Sequence, residues 1–213
     1  MRIDELKYRV RAKIDELGSN DSDMMDIDRD NKELDVMVEQ SAIDGLRYLL
    51  LHINLDGIKA TESTGPVMTG LDKVGIVTLP DNFLRLKSVR LSSWSRAVSN
   101  LVSEDSAYYL MQKDAYACGT PERPVAAIVS KGDNLQLELY KANAVSDTVS
   151  LYYIPMPTIV TNMLGNKEIA MDNVLEEPFV YVVASMVLNS YQEFELSAKM
   201  LSTANTLAGI ATA

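Results

Sequence analysis

Two β-branched runs flank the tetrapeptide Leu79-Pro80-Asp81-Asn82, and this stretch, Val74 to Trp94, constrains the fold more than any other. Val74-Gly-Ile-Val-Thr leads in, and Leu84 to Leu91 leads out. Proline fixes its own φ and has no N–H, so Pro80 cannot lie inside a central strand. Asp81 and Asn82 favour the turn that follows a proline. The expectation is strand, corner, strand. The second run breaks its own alternation. Leu84 and Leu86 share one parity, while Val89 and Leu91 share the other. Successive strand residues point to opposite faces. Either a bulge falls near Lys87 and Ser88, or the strand starts later, at about Lys87. Arg85, Lys87, Arg90 and Arg96 make this the most basic patch of the chain, read as a solvated strand face.

The chain on either side must supply a core. Its 213 residues are 47% hydrophobic, which is globular composition, enough for one large or two small domains. No apolar run reaches the eighteen or so residues of a membrane-spanning helix. The charged, amphipathic start, MRIDELKYRVRAKIDEL, lacks a signal peptide's apolar core, so secretion by that route is not expected. Cys118 is the only cysteine, which excludes an internal disulfide and a cysteine-based metal cage and points to a reducing compartment or a reducing site of assembly. A net charge of −10 argues against a broad nucleic-acid-binding surface, since neutralising phosphates needs clustered Lys and Arg. It is compatible with a surface that nucleic acid passes without sticking.

Ile3, Leu6, Val10, Ile14 and Leu17 recur at helical spacing, and Gly18-Ser19-Asn20 stops that helix. Residues 20 to 35 then hold seven acidic side chains (Asp21, Asp23, Asp26, Asp28, Asp30, Glu33, Asp35) against Arg29 and Lys32. Asp26-x-Asp28-x-Asp30 imitates the opening of an EF-hand loop. Calcium would need glycine at the sixth position and a bidentate Glu at the twelfth, where Asn31 and Met37 stand. A solvated acidic loop at a helix N-terminus is the better reading. Leu34, Met37 or Val38, Ser41, Leu46, Leu49, Leu50 and Ile53 trace a second helix over about 31 to 55. Its end, Tyr48 to Ile53, is apolar all round and reads as the buried centre of a bundle. His52, the only histidine, has no second His or Cys nearby and reads as a satisfied helix residue. Residues 56 to 72 carry Gly57, Ser63, Gly65-Pro66 and Gly70 and read as a long loop without a phosphate-binding pattern.

Beyond the central stretch, Ser103-Glu-Asp is placed to cap a helix running to about Ala117 and ended by Gly119, with Tyr108, Tyr109, Met111 and Tyr116 on it. Three strands follow: Val125 to Val129, Leu135 to Tyr140, and Val149 to Tyr153. Lys131-Gly-Asp-Asn turns the first into the second. One buried face on each predicts an antiparallel sheet of the three. Asp172 to Gly209 is helical, as one helix or as two with a bend near Tyr191. Phe194, Ala198, Leu201, Asn205 and Ala208 continue its apolar face. The expected fold class is α+β. Helices from 1–72 and 172–213 form a bundle, and 73–171 is an inserted small antiparallel β domain.

The residues filling this string are more specific than the string itself. TLPDNFLRLKSVR, CGTPERPVAAIVSKGDNLQLELY, DTVSLYYIPMP and LEEPFVYVVASMVLNSY together resemble the head-to-tail connector or tail adaptor proteins of tailed phages, including short-tailed and crAss-like phages. The matching features are an LP-x-x-F-x-R-L strand corner (Leu79 to Leu86), a G-x-P turn (Gly119 to Pro121), a Y-x-x-x-P strand exit (Tyr153 to Pro157) and a closing helix (Glu177 to Tyr191). The likeness spans about residues 34 to 205. It implies a structural virion protein, made in the host cytoplasm and placed in the neck. Copies form a ring, commonly twelvefold, that meets the portal protein, neighbouring ring subunits and other tail proteins. DNA passes it non-specifically, and no membrane and no cofactor are involved. In the family, C-terminal segments often reach the portal, which makes Leu207 and Ile210 candidate docking anchors. Asp21, Asp23, Asp26, Asp28 and Asp30 are candidates to face the channel. The thin catalytic inventory fits a structural role: no nucleophile elbow, no paired His and carboxylate, no zinc spacing. The alternatives are a soluble protein-binding or regulatory module without catalysis, and a hydrolase or metalloenzyme, which would need convergent titratable groups in a deep pocket.

Overall fold

A computed structural model describes residues 1–18, 31–69, 73–114, 116–132, 134–142 and 147–211. The fold is mixed α+β, with five α-helices and three sheets among the described residues. The chain divides into two compact units. One is Met1–Ile58 with Pro157–Ala213, and the other is Lys59–Met156. The seams expected at 73 and 171 therefore fall at 59 and 156 instead.

The discontinuous unit contains α1 (Ile3–Gly18), α2 (Asn31–His52), α4 (Glu176–Ser190) and α5 (Phe194–Leu207). The stripe on α1 is buried at Ile3, Leu6, Val10 and Ile14. α4 packs against α5, α2 and α1. Its buried residues run almost continuously, from Pro178 through Phe179, Val180, Val182, Val183, Ala184, Ser185, Val187 and Leu188. That corrects one expectation: the centre of the packing is α4, while α2 ends with Leu51 41% exposed. Gly45 lets α2 and α4 approach closely, because a Cβ there would lie 2.9 Å from a Val183 methyl. Between α4 and α5, Gln192 adopts φ +66. The Gln192 N–H donates to the Asn189 carbonyl and the Glu193 N–H to Leu188, a Schellman closure. The break resets the helical phase. Ser197, Met200, Ala204 and Asn205 face inward on α5, whereas Phe194 is 63% exposed and Ala198 is also outside. Ser197 Oγ lies 3.0 Å from Ser185 Oγ and donates to the Ser185 carbonyl at 2.9 Å, satisfying two buried hydroxyls.

Ion pairs tie α1 to its neighbours: Arg9 with Glu176 and Glu177, Lys13 with Glu177, Arg11 with Asp35, and Lys7 with Glu39. A short hairpin of β9 (Ile159–Thr161) and β10 (Lys167–Ile169) belongs to this unit and not to the inserted one. Lys167 pairs with Glu39, and this hydrogen bond outweighs burial and holds the Glu39 carboxyl below its ordinary value.

The inserted unit carries two sheets. The three-stranded sheet runs in the order β1 (Thr61–Pro66), β8 (Thr148–Pro155), β4 (Phe83–Leu91). The five-stranded sheet runs β2 (Met68–Thr69), β3 (Val74–Thr78), β7 (Asn134–Tyr140), β6 (Ala126–Lys131), β5 (Val102–Ser103). Two expectations are overturned. The segment 56–72 holds β1 and β2, and β1 pairs with β8 from Thr61 opposite Tyr153 to Pro66 opposite Thr148. Its sequence, TESTGP, shows no apolar alternation because it is an edge strand with mostly exposed side chains. The three strands expected in one sheet also separate. β6 and β7 form the hairpin, closed by Lys131 opposite Asn134 with Gly132 at φ +64, but β8 lies in the other sheet. β5 joins β6 in parallel, the exception to antiparallel pairing in these sheets. The helix expected over 103–117 is α3, only Ala107–Met111, and its cap is Ser106, whose hydroxyl accepts from the Tyr109 N–H.

One core draws on both sheets: Leu86, Val89, Leu91, Val149, Leu151 and Tyr153 with Leu137, Leu139, Ala126 and Trp94. The Trp94 ring N–H donates to the Tyr140 carbonyl at 3.2 Å. A second cluster (Val125, Ala127, Val129 and Tyr140, with Val74, Val102 and Tyr109) covers the five-stranded sheet's other face. β7 is therefore buried on both faces along Leu137 to Tyr140, not on one.

Candidate docking surfaces

Pro80 turns the chain from the five-stranded sheet into the three-stranded one, since β3 pairs with β7 and β4 with β8. Register shifts fall between Phe83 and Arg85 and between Leu86 and Ser88. The second inserts Lys87 as an extra residue and brings Leu86 and Val89 onto the same buried face, resolving the parity conflict. The corner is clamped to the strand exit. The Tyr153 hydroxyl donates to Asn82 Oδ1 at 3.0 Å, the Met156 N–H to the Asn82 carbonyl at 2.7 Å, and Phe83 stacks on Tyr153. After β4, Asp147 accepts from the Ser92 hydroxyl at 2.8 Å, the Ser93 hydroxyl at 2.7 Å and the Ser93 N–H at 3.1 Å. No sequence signal marked Asp147, because its serines lie more than fifty residues away. Gly119 is required where it stands: a Cβ would come within 2.8 Å of a Val125 methyl and 3.1 Å of the Arg123 carbonyl. Thus the strand corner, Leu79 to Leu86, and the strand exit, Tyr153 to Pro157, meet in space.

The basic residues do not share one regular face. Arg90 and Arg96 are exposed, Arg85 and Lys87 half-buried, and Arg90 Nε donates to the Trp94 carbonyl at 3.3 Å. Asp21, Asp23, Asp26, Asp28 and Asp30 lie outside the described residues. Leu207 is 51% exposed, and Ile210 is half-buried. The Ile210 N–H donates to the Asn205 carbonyl at 2.8 Å and Gly209 holds φ +65, so Ile210 is the last residue of a second Schellman cap. His52 is exposed, with Nδ1 2.7 Å from the Tyr48 carbonyl and its ring tilted on Tyr48. Among the described residues, no three His, Cys, Asp or Glu side chains gather so as to hold a metal ion.

Two further surfaces stand out in the fold, of which the sequence marked the aromatic residues of the first only. The first surrounds α3. Glu138, 9% exposed, accepts from the Tyr109 hydroxyl at 3.0 Å, the Tyr140 hydroxyl at 2.9 Å and Lys131 Nζ at 3.1 Å. Burial pushes this carboxyl up, but the hydrogen bonds from Lys131, Tyr140 and Tyr109 outweigh it and hold the group below its ordinary value. Burial and the adjacent carboxylate push both tyrosines up. Anchored through Tyr109, α3 and the turn after it leave Tyr108, Leu110, Met111 and Tyr116 exposed. The second is the β9–β10 turn, where Met163 and Leu164 are 106% and 85% exposed.

No protein-family model and no curated protein matches the chain.

Proposed function

We propose that the chain is a structural virion protein, one subunit of a head-to-tail connector or tail adaptor ring that sits between portal and tail of a tailed phage and continues the DNA channel. In this reading its N- and C-terminal helices form a bundle, and the β-rich unit is inserted between them. It is made in the host cytoplasm and works in the virion neck as a homododecamer, held by portal protein, neighbouring subunits and other tail proteins. It performs no catalysis.

One observation carries the reading. The strand corner and the strand exit, which are among the segments that resemble such proteins, are 67 or more residues apart in sequence yet bond to each other through Asn82, Phe83, Tyr153 and Met156. Residues that resemble a family piecemeal carry more weight when they build one joint. The acidic balance of the chain favours a wall that lets DNA slide instead of gripping it. Leu207 and Ile210 remain the proposed portal contacts, and the acidic segment the proposed channel lining. Electron cryomicroscopy of the native particle tests the assignment. The expected result is a ring of this subunit directly below the portal; a neck whose density is fully accounted for by other chains would overturn it.

A further inference from the structure

The outer face of the five-stranded sheet lies under a short stretch of chain that one side chain holds down. Val125, Ala127, Val129 and Tyr140 are buried on that face. Ala127 stands opposite Glu138 in the β6–β7 hairpin, so the carboxylate belongs to the same face. The cover is residues 105–111, which include α3. A helix of five residues has too few hydrogen bonds to hold itself, and α3 buries none of its residues. Tyr108, Leu110 and Met111 are exposed, and of the α3 side chains Tyr109 alone packs on the cluster.

Both ends of this stretch are pinned. Before it, Glu104 Oε2 accepts from the Ser130 N–H at 3.1 Å. After it, the buried Gln112 accepts from the Gly119 N–H through Oε1 at 2.8 Å. Between the pins, the Tyr109 hydroxyl donates to Glu138 Oε2 at 3.0 Å, and Lys113 Nζ stands 5.3 Å from the Tyr109 ring centroid. An element with so few buried contacts opens well below the cost of global unfolding. Lifting it breaks none of the β6–β7 pairing, which runs from Ala126 opposite Leu139 to Lys131 opposite Asn134. Glu138 keeps Tyr140 and Lys131 as donors, so the open form strands no unpaired charge. What it uncovers is the Glu138 carboxylate, beside the Tyr140 hydroxyl and Ala127. We propose that residues 105–111 form a strap that opens while the unit stays folded, latched by the hydrogen bond from Tyr109 to Glu138 and controlling solvent access to that carboxylate. The device works the same whether or not the chain forms a ring.

Native-state hydrogen exchange of the full chain, read by nuclear magnetic resonance, tests the strap. The Tyr109, Leu110 and Gln112 N–H groups all bond within 106–112. They should exchange together, ahead of the amides in the β6–β7 pairing, while the pinned Ser130 and Gly119 N–H groups stay slow. Tyr109→Phe keeps the ring and removes the latch, so strap exchange should rise about tenfold with the hairpin amides unchanged. Tyr108→Phe, on the exposed side, should change nothing. Carbodiimide coupling of carboxylates, located by peptide mass spectrometry, reads the uncovering. In the wild type Glu138 should react more slowly than the exposed Glu122, and in Tyr109→Phe its rate should rise with that of the strap. Strap and hairpin amides exchanging at one rate in the wild type would overturn the proposal, because α3 would then open only with the whole unit. So would a strap as slow in Tyr109→Phe as in the wild type, or a Glu138 that stays unreactive while the strap exchanges freely.

Discussion

Glu138 shows how much one residue's surroundings decide. In the sequence it is a polar residue on an alternating strand. In the fold it is a nearly buried carboxylate held by three donors from β6, β7 and α3. Its ordinary value is 4.5, and in the folded protein it lies lower. A carboxyl with a depressed folded value contributes stability that is present above its unfolded value and lost as pH falls through the folded one. Unfolding of the β-rich unit should therefore become easier as pH drops below about 4.5. Glu138→Gln should remove part of that dependence and cost about 1–3 kcal/mol at neutral pH, because a charge-assisted network becomes a poorly matched amide. Thermal melts of both proteins across the acidic range check this. A variant with the same pH slope as the wild type would mean that other carboxylates carry the effect.

Among the elements, the α4–α5 break is the clearest case of a local cost accepted for a larger gain. Gln192 sits at φ +66, where a side chain costs about 1–2 kcal/mol, and the closure lets α5 fold back along α4. Glycine removes the steric cost but adds freedom to the unfolded chain. Gln192→Gly should therefore stabilise the helical unit by a net of about 0.5–1 kcal/mol. Chemical denaturation followed by circular dichroism measures it, and a loss of stability would show that the Gln192 side chain makes a contact of its own. The bulge at Lys87 is the strand counterpart. It was legible because parity in a strand is strict, and a run that buries Leu86 and Val89 on one face needs an extra residue between them.

For the whole molecule, two compact units imply two cores that can lose order separately. The inserted unit leaves and returns by neighbouring strands, since Thr61 lies opposite Tyr153. Such a segment, about 100 residues long, is of a size to fold alone. Trp94 is the chain's only tryptophan, lies in this unit and is buried. Its fluorescence reports the β-rich unit, while far-ultraviolet circular dichroism reports mainly α1, α2, α4 and α5. Under denaturant the two signals should give different midpoints, and residues 59–156 expressed alone should unfold cooperatively with the tryptophan transition of the full chain. Coincident transitions in the full chain, with an unfolded fragment, would show one cooperative body instead.

The sequence by itself determined the features that nearest neighbours control. The stripe on α1 follows from 3.6-residue spacing, the corner from the missing N–H and fixed φ of Pro80, the hairpin from Lys131-Gly-Asp-Asn, and the choice between a bulge and a later strand start from parity. The tertiary structure alone decided what depends on distant partners. β8 joins β1 and β4 instead of β6 and β7, TESTGP becomes a strand, α5 turns a different face inward after the break, and Met163, Leu164 and the α3 side chains are left outside. Alternation states that a strand has a buried face, but burial rewards any apolar neighbour equally, so it does not name the partner. Pairing is chosen by the sum of contacts across the chain, and the surfaces left over from that choice stay exposed.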